Sequence, residues 1–185
     1  MKTEKEKMLE GELYNAADTQ LTSERQRARQ LIKEYNNIPE DQFEERVALL
    51  KKLIPHSGVK LEIQPPFYCD YGSNIVLGDN VFFNFNCVIL DVTRVTIGHR
   101  CLFGPAVQIY TATHPMDHAQ RAMVLEFGKS VTIGDDVWVG GNVTICPGVT
   151  IGDRTVIGAG SVVTNNIPPN VFVAGNPCRV IRELE

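Results

Sequence analysis

The sequence predicts a mainly β protein, a parallel β-helix of hexapeptide repeats preceded by a small α-helical N-terminal domain. Three observations predict it. Apolar residues recur every six positions through most of the C-terminal part, residues 1–58 show helical spacing instead, and the sixfold period fails at about 111–130. We therefore place a helical domain at 1–58 and a repeat domain at 59–185, with an excursion loop at about 111–130.

The N-terminal domain is predicted to contain three helices. A short helix lies near Glu4–Glu12, a second has its N-cap near Thr22 and ends before Pro39, and a third runs from about Glu40 to Leu53. The third helix is expected to bury one apolar face, made of Phe43, Val47, Leu50 and Ile54.

The sixfold period is clearest between Ile133 and Pro168. Six successive hexapeptides begin there with Ile or Val, and four of them have Gly in second place. A short strand cannot bury its apolar side chain alone, so the coils must stack and align these aliphatic residues in one column. Gly, Asp and Asn in the middle places suit the corners, where the backbone turns. The period does not determine the handedness of the β-helix.

Composition narrows the possible partners and location. The net charge is −4 and the pI is about 5.6, so nucleic acid is not an expected partner. No apolar run approaches the roughly 18 residues of a membrane span. The N-terminal stretch MKTEKEKMLEGEL lacks the apolar core of a signal peptide, so we expect no membrane association and a cytoplasmic protein. The five cysteines show no C-x-x-C spacing and are expected to be reduced packing residues.

The repeat is interrupted twice. Between Ile89 and Ile97 the spacing is eight, so the segment Asp91–Arg94 disturbs a corner. After Ile109 the period fails for about twenty residues, in a polar loop that opens on His114-Pro115. A long loop inside a compact domain is usually functional or disordered. Because this loop also contains apolar residues, we expect an ordered and functional excursion.

Several further motifs accompany the repeats. They are Gly11-Glu-Leu-Tyr14, Pro65-Pro-Phe-Tyr68, Tyr71-Gly-Ser-Asn-Ile75, Asn84-Phe-Asn86, His114-Pro115 and Ala174-Gly-Asn-Pro-Cys-Arg-Val-Ile-Arg182. With the helical domain, they make the chain resemble the maltose and galactoside O-acetyltransferases, a branch of the hexapeptide-repeat acyltransferases, over almost its whole length. The resemblance implies a left-handed β-helix, acetyl-CoA as acetyl donor and a sugar such as maltose or glucose as acceptor. It also implies a homotrimer with each active site between neighbouring subunits.

The resemblance also assigns residues to the reaction. Acetyl transfer from a thioester needs a base for the sugar hydroxyl and hydrogen-bond donors for the oxyanion. His114 is the implied base, and a histidine has an unperturbed pKa near 6.5, suited to that task at neutral pH. Asn84 is placed at the reaction centre, in contact with the acceptor. Asp70 is expected to bind the acceptor, and Asp91 is a weaker candidate for the same role.

Two other carboxylates have less defined roles. The acidic acceptor contact of the family is displaced in this sequence, where Asp18 is the carboxylate that follows Tyr14. Glu126 either orients His114 or a sugar hydroxyl, or is simply an exposed carboxylate of the loop.

The implied acetyl-CoA site is a groove along the outside of the β-helix. Backbone at Gly141 is expected near the thioester, and Arg179 and Arg182 near the phosphates, because a guanidinium matches phosphate oxygens. The complete set of expected cofactor contacts is Gly141, Ala159, Thr164, Asn165, Arg179 and Arg182. No metal site is expected.

Three alternatives remain open at this point. The acceptor could be a galactoside or a non-sugar compound, although the helical domain argues against antibiotic and serine acetylation. A γ-type carbonic anhydrase uses the same kind of repeat with three zinc-binding histidines, for which His99, His114 and His118 are the only candidates in the repeat domain. A non-catalytic scaffold, in which the loop serves assembly, is the third alternative.

Overall fold

The computed structural model describes residues 1–185 and begins with three helices, α1 (Glu4–Leu9), α2 (Thr19–Asn37) and α3 (Phe43–Leu53). The N-cap of α2 is Asp18, whose Oδ1 accepts hydrogen bonds from the backbone N–H groups of Gln20 and Leu21 at 2.9 and 3.2 Å. The predicted N-cap near Thr22 was therefore wrong, because an aspartate satisfies the first free N–H groups of a helix one turn earlier.

Helix α3 starts later than predicted and buries a different face. Its first residue, Phe43, is exposed, and its buried residues are Arg46, Leu49, Leu50 and Leu53. Arg46 is turned inward, with its guanidinium carbon 5.8 Å from the ring centroid of Tyr35 and Nη2 donating to the backbone carbonyl of Ile63 at 3.4 Å. The helical spacing of apolar residues does not reveal a buried arginine. The predicted buried face of α3 was therefore correct only in part.

From His56 onward, short strands stack into three mainly parallel sheets, which form the faces of a triangular prism. The strands are numbered in chain order. The first face contains β2 (His56–Ser57), β5 (Ile75–Leu77), β8 (Val95–Ile97), β13 (Val131–Ile133) and β16 (Thr150–Ile151). The second face contains β3 (Glu62–Ile63), β6 (Phe82–Phe83), β9 (Leu102–Phe103), β14 (Trp138–Val139), β17 (Val156–Ile157), β19 (Val171–Ala174) and the antiparallel β20 (Arg179–Glu183). The third face contains β4 (Phe67–Cys69), β7 (Cys87–Leu90), β10 (Gln108–Tyr110), β15 (Thr144–Ile145) and β18 (Val162–Val163).

The register of the strands confirms the predicted stacking of first-position residues. On the third face, Ile109 lies between Ile89 and Ile145, and Ile145 also pairs with Val163. None of these four side chains is exposed to solvent. Stacking of this kind buries apolar surface that no single coil could cover. Each Å² of apolar surface removed from water stabilises the fold by about 25 cal/mol. All five cysteines are free thiols, four of them buried, as predicted for packing residues.

Two corners of the prism matter for function. The glycine corner joins the second and third faces and consists of the segments 84–86, 104–106, 140–142 and 158–160. The loop corner joins the third and first faces and consists of the segments 70–74, 91–94, 111–130, 146–149 and 164–166. Because successive coils stack in register, segments distant in the sequence lie above one another at each corner.

The excursion is ordered and belongs to the loop corner. It contains a one-turn helix, α4 (His118–Ala122), and two antiparallel strands, β11 (Ala112–Thr113) and β12 (Leu125–Gly128). Strand β12 also pairs with β1 (Tyr14–Asn15), so the N-terminal domain is attached to the loop by backbone hydrogen bonds. None of the helices in the structure has the length and apolar character needed to span a bilayer.

Candidate active site

His114 lies at the start of the excursion, immediately after β11. Its imidazole is exposed, and Nδ1 lies 3.4 Å from the backbone carbonyl oxygen of Leu125 in β12. A carbonyl can only accept, so this contact requires the hydrogen on Nδ1 and leaves Nε2 with a free lone pair. The hairpin thus favours the tautomer that a general base needs.

The imidazole borders a cleft of about 330 Å³ between the loop corner and the N-terminal domain. Asp70 and Glu126 supply carboxylates to the same cleft. The complete lining is Tyr14, Ala16, Arg25, Arg29, Asp70, Tyr71, Leu90, Val92, Ala112, His114 and Glu126. The cleft falls within the volume range of small-molecule sites, and its polar groups converge from three separate segments of the chain.

Glu126 is held by the N-terminal domain. The hydroxyl of Tyr14 donates to Glu126 Oε2 at 2.9 Å, across the pairing of β1 with β12. Burial, together with the nearby Glu126 carboxylate, raises the pKa of Tyr14, so its hydroxyl stays protonated and remains a donor. Glu126 therefore has a fixed orientation beside His114 and one oxygen available for another partner.

Asp70 lines the same cleft, next to a cation. Arg25 donates from Nη1 to the hydroxyl of Tyr71 at 2.7 Å and from Nη2 to the backbone carbonyl of Ala16 at 2.5 Å. Burial raises the pKa of Asp70 above its usual range, and the charge of Arg25 opposes that rise. Burial likewise raises the pKa of Tyr71 to about 12. The wall thus presents a carboxyl group and a phenol hydroxyl, both able to bind alcohol groups.

Two other aspartates, the predicted acceptor contact Asp91 and the unassigned Asp18, do not line this cleft. Asp91 has no exposed surface, and its Oδ1 accepts from the backbone N–H groups of Asp70 and Tyr71 at 3.0 and 2.9 Å. A side chain buried in this way does not contact an acceptor, which corrects its assignment as an acceptor-binding residue. Asp18 is occupied as the N-cap of α2, and Ala16 lies in the cleft instead.

Asn84 lies at the glycine corner, on a different edge of the prism from His114. Its Oδ1 accepts from the backbone N–H of Phe85 at 2.7 Å, and its side-chain NH₂ group has no acceptor within the chain. Gly141 and Ala159 lie at the same corner in later coils, and neither of their backbone N–H groups donates to an acceptor in the chain. The corner therefore carries a row of unused hydrogen-bond donors.

Close packing explains why glycine recurs at this corner. A Cβ on Gly104 would lie 2.6 Å from the backbone nitrogen of Gly141, and one on Gly140 would lie 2.7 Å from that of Ala159. Side chains at these positions would collide with the next coil. Glycine at these positions therefore leaves the backbone N–H groups of Gly141 and Ala159 uncovered by a side chain of the neighbouring coil.

The remaining predicted cofactor residues fall into two places. Thr164 and Asn165 are exposed at the loop corner, and the Asn165 side-chain amide donates to Thr164 Oγ1 at 3.1 Å. Arg179 and Arg182 are exposed on β20, the outermost strand of the second face. The guanidinium carbon of Arg182 lies 6.0 Å from the ring centroid of Phe172, which fixes its direction. A single chain therefore separates the predicted residues. His114, Thr164 and Asn165 lie at the loop corner, whereas Asn84 and Gly141 lie at the glycine corner.

The structure adds cleft residues that were not predicted as site residues. Tyr14, Arg25 and Tyr71 line the cleft and hold its carboxylates. Tyr14 and Tyr71 belong to motifs that mark the resemblance, yet nothing in the repeat pattern shows that they converge with Arg25. By contrast, His99, His114 and His118 do not converge, and no three His, Cys, Asp or Glu side chains are grouped as metal ligands would be.

Comparison with known proteins places this chain in a family. Residues 7–58 match the model described as the maltose acetyltransferase hexapeptide capping motif, and residues 130–165 match the bacterial transferase hexapeptide model of six repeats. The galactoside O-acetyltransferase of Escherichia coli K12 is 43% identical over 97% of this chain and 88% of its own length.

Two solved structures are similar over the whole chain. A maltose O-acetyltransferase from Clostridium difficile 630 is 49% identical, with a TM-score of 0.98 over 100% of this chain and 98% of that one. A hexapeptide-repeat acetyltransferase from Vibrio cholerae, complexed with acetyl coenzyme A, is 43% identical, with a TM-score of 0.92 over 100% of both chains. The sequence matches and the shared left-handed β-helix agree: this chain belongs to the hexapeptide-repeat acetyltransferases, in the branch of the maltose and galactoside O-acetyltransferases.

Proposed function

We propose that the protein transfers the acetyl group of acetyl-CoA to a hydroxyl of maltose, glucose or a related sugar, with His114 as general base. Membership of the family makes it an acetyltransferase with acetyl-CoA as donor. The observation that carries the finer proposal is the single cleft that His114, Asp70 and Glu126 line together. Carboxylates beside a base suit an acceptor with several hydroxyl groups, because each carboxylate oxygen accepts a hydrogen bond from an alcohol.

In the proposed mechanism, His114 Nε2 takes the proton of the attacking hydroxyl while Nδ1 donates to the Leu125 carbonyl. Asp70 and Glu126 hold neighbouring hydroxyls and so orient the sugar. Acetyl-CoA supplies a thioester carbonyl open to attack by the activated oxygen. The imidazolium then returns its proton to the departing thiolate.

The glycine corner fits the acetyl donor. The side-chain NH₂ of Asn84 and the backbone N–H of Gly141 are free donors, as stabilisation of an oxyanion requires. Ala159, with Thr164 and Asn165, would contact the pantetheine and adenine portions. Arg179 and Arg182 are exposed cations suited to phosphates. These features support the cofactor assignment.

A homotrimer would unite the two groups of residues. His114 belongs to the loop corner and Asn84 to the glycine corner, so one chain alone does not complete the site. The second face carries an apolar stripe in which Trp138 and Leu102 pair side by side and are 55% and 50% exposed. Neighbouring exposed apolar groups of this kind mark association surfaces. We infer that neighbouring subunits pack there and that each active site combines two chains.

The direct test replaces His114 and follows acetyl transfer to maltose, glucose, a galactoside and a non-sugar amine. His114→Ala should lower kcat by roughly 10²–10⁴-fold because the base is lost, while the affinity for acetyl-CoA changes little. His118→Ala is the matched control, since His118 lies in the same loop with its side chain 90% exposed. Full activity of the His114 variant would disprove the assignment, and a preference for the amine would disprove the sugar acceptor.

A further inference from the structure

The eight-residue interval between Ile89 and Ile97 places a carboxylate inside the loop corner. Asp91 is the only aspartate or glutamate with no exposed surface, and it lies in the coil between the segment 70–74 and the excursion. A buried carboxyl group without a role is disfavoured, because removing it from water is costly unless hydrogen bonds compensate.

The contacts of Asp91 point toward the acceptor cleft. Oδ1 accepts from the backbone N–H groups of both Asp70 and Tyr71, and the backbone carbonyl of Asp91 accepts from the side-chain amide of Asn74 at 2.7 Å. Both ends of the segment 70–74 are thus attached to one residue. The side chains of Asp70 and Tyr71 project from the clamped peptide into the cleft.

The same corner also holds the start of the excursion. The backbone N–H of Thr93 donates to Thr111 Oγ1 at 3.1 Å, and that hydroxyl donates to the carbonyl of Leu90 at 2.7 Å. Thr111 is the residue at which the excursion carrying His114 begins. The segment 91–94 therefore joins the wall with Asp70 to the base of the loop with His114.

Asp91 makes these bonds without a counterion. It forms no salt bridge, and its Oδ2 is buried with no hydrogen-bond partner. If the residue served stability alone, an uncharged side chain would fill the space at lower cost, because an unpartnered buried oxygen is destabilising. What the carboxyl group provides is one oxygen that accepts from two consecutive N–H groups.

We propose that Asp91 is a positioning residue of the acceptor site, which holds the Asp70–Tyr71 peptide so that both side chains face the sugar. The proposal rests on the proposed function, since it assumes that this cleft binds the acceptor. In this proposal Asp91 does not contact the acceptor itself. It affects acceptor binding by holding Asp70 and Tyr71 in place.

The test compares Asp91→Ala, which removes the acceptor oxygen, with Asp91→Asn, which keeps it. Loss of the partner of one buried N–H group corresponds to about fivefold to a hundredfold, so the Ala variant, which removes the partner of two, should raise the KM for maltose by about tenfold or more. The KM for acetyl-CoA should stay within about twofold, and Asn should restore the KM for maltose. Thr155→Val is the matched control, because Thr155 is equally buried and donates to the Pro168 carbonyl at 3.0 Å. Thr155 lies at the third corner of the prism, which joins the first and second faces.

A second measurement does not depend on activity. Amide hydrogen exchange of the segment 68–74 should be fast in Asp91→Ala and slow in the wild type and Asp91→Asn. If Asp91→Ala does not fold, Asp91→Ser is the replacement, because serine leaves a smaller cavity and its hydroxyl is too short to reach both N–H groups. The Ser variant should then show the raised KM for maltose and the fast exchange expected of the Ala variant. An unchanged KM for maltose in a folded variant, or unchanged exchange, would overturn the proposal. Lack of any sugar acetylation by the wild type would refute the proposed function, while the exchange result would still test the clamp.

Discussion

Three aspartates show how the surroundings of a residue determine its role. Asp18 caps α2, Asp70 lines the acceptor cleft, and Asp91 is buried beneath it. The resemblance pointed to Asp70 and Asp91 as acceptor contacts and left the role of Asp18 undefined, because residue type and approximate position were the only information available. Burial and hydrogen-bond partners separate them, and both depend on how the coils stack.

The burial of Asp91 predicts a pH dependence of stability. Burial raises its pKa to about 7, and the titratable groups around it are Asp70, Tyr71 and Cys69. Between about pH 4, the ordinary pKa of an aspartate, and pH 7, the folded state keeps a proton that the unfolded state has released. The contribution of this group to the free energy of unfolding is therefore full below about pH 4 and falls as the pH rises to 7.

Urea unfolding across this pH range would measure the effect. Asp91→Asn cannot ionise, so its free energy of unfolding should increase relative to that of the wild type from pH 4 to 7 and then level off. Asp70 is present in both proteins, so its titration largely cancels in the difference. Parallel curves for the two proteins would contradict the assigned burial of a titrating carboxyl group.

Among the structural elements, the terminal hairpin of β19 and β20 was not predicted by the repeat. Strand β20 runs antiparallel to β19 and carries Arg179 and Arg182 at the edge of the second face. Arg179 pairs with Ala174, at the end of β19 nearer the glycine corner, and Arg182 pairs with Phe172. Both positions follow from this reversal of the chain, which the six-residue period does not predict. Their side chains remain exposed and available for an anionic ligand.

Removal of both arginines should weaken acetyl-CoA binding selectively. The double variant Arg179→Ala and Arg182→Ala should raise the KM for acetyl-CoA by about tenfold, because charge-assisted hydrogen bonds to phosphates are lost. The KM for the sugar should change less, since neither arginine lines the acceptor cleft. Arg100→Ala, at the third corner, is the control. Equal effects on both substrates, or none on acetyl-CoA, would reject the phosphate assignment.

For the whole molecule, stacking explains both what one chain assembles and what it leaves apart. Asp70 and His114 are 44 residues apart in the sequence, 114 − 70, yet they line one cleft because both belong to the loop corner. Asn84 lies between them in the sequence but on the glycine corner. The proposed trimer follows from this separation of the predicted catalytic residues.

Mixed trimers test whether active sites are shared. His114→Ala and Asn84→Ala should each be inactive alone, but co-expression should restore activity in trimers that contain both. With random assortment, about one quarter of the sites would pair an intact His114 with an intact Asn84 from a neighbour. Acetyl transfer by the mixture would be compared with each variant alone, and native mass spectrometry would verify mixing. Inactive mixed trimers would contradict a site built from two chains.

Period six was sufficient to predict the β-helix, its apolar columns and its glycine-rich corners, because each coil contacts only its neighbours and the pattern is local. The excursion was equally visible as a break in that pattern, and the resemblance supplied its chemistry. Tertiary structure alone decided which polar residues share a corner, which aspartate is buried and how the N-terminal domain closes the cleft through Tyr14 and Arg25. These features depend on the number of residues between distant segments and on how whole coils stack. A six-residue repeat describes only neighbouring residues, so it does not predict them.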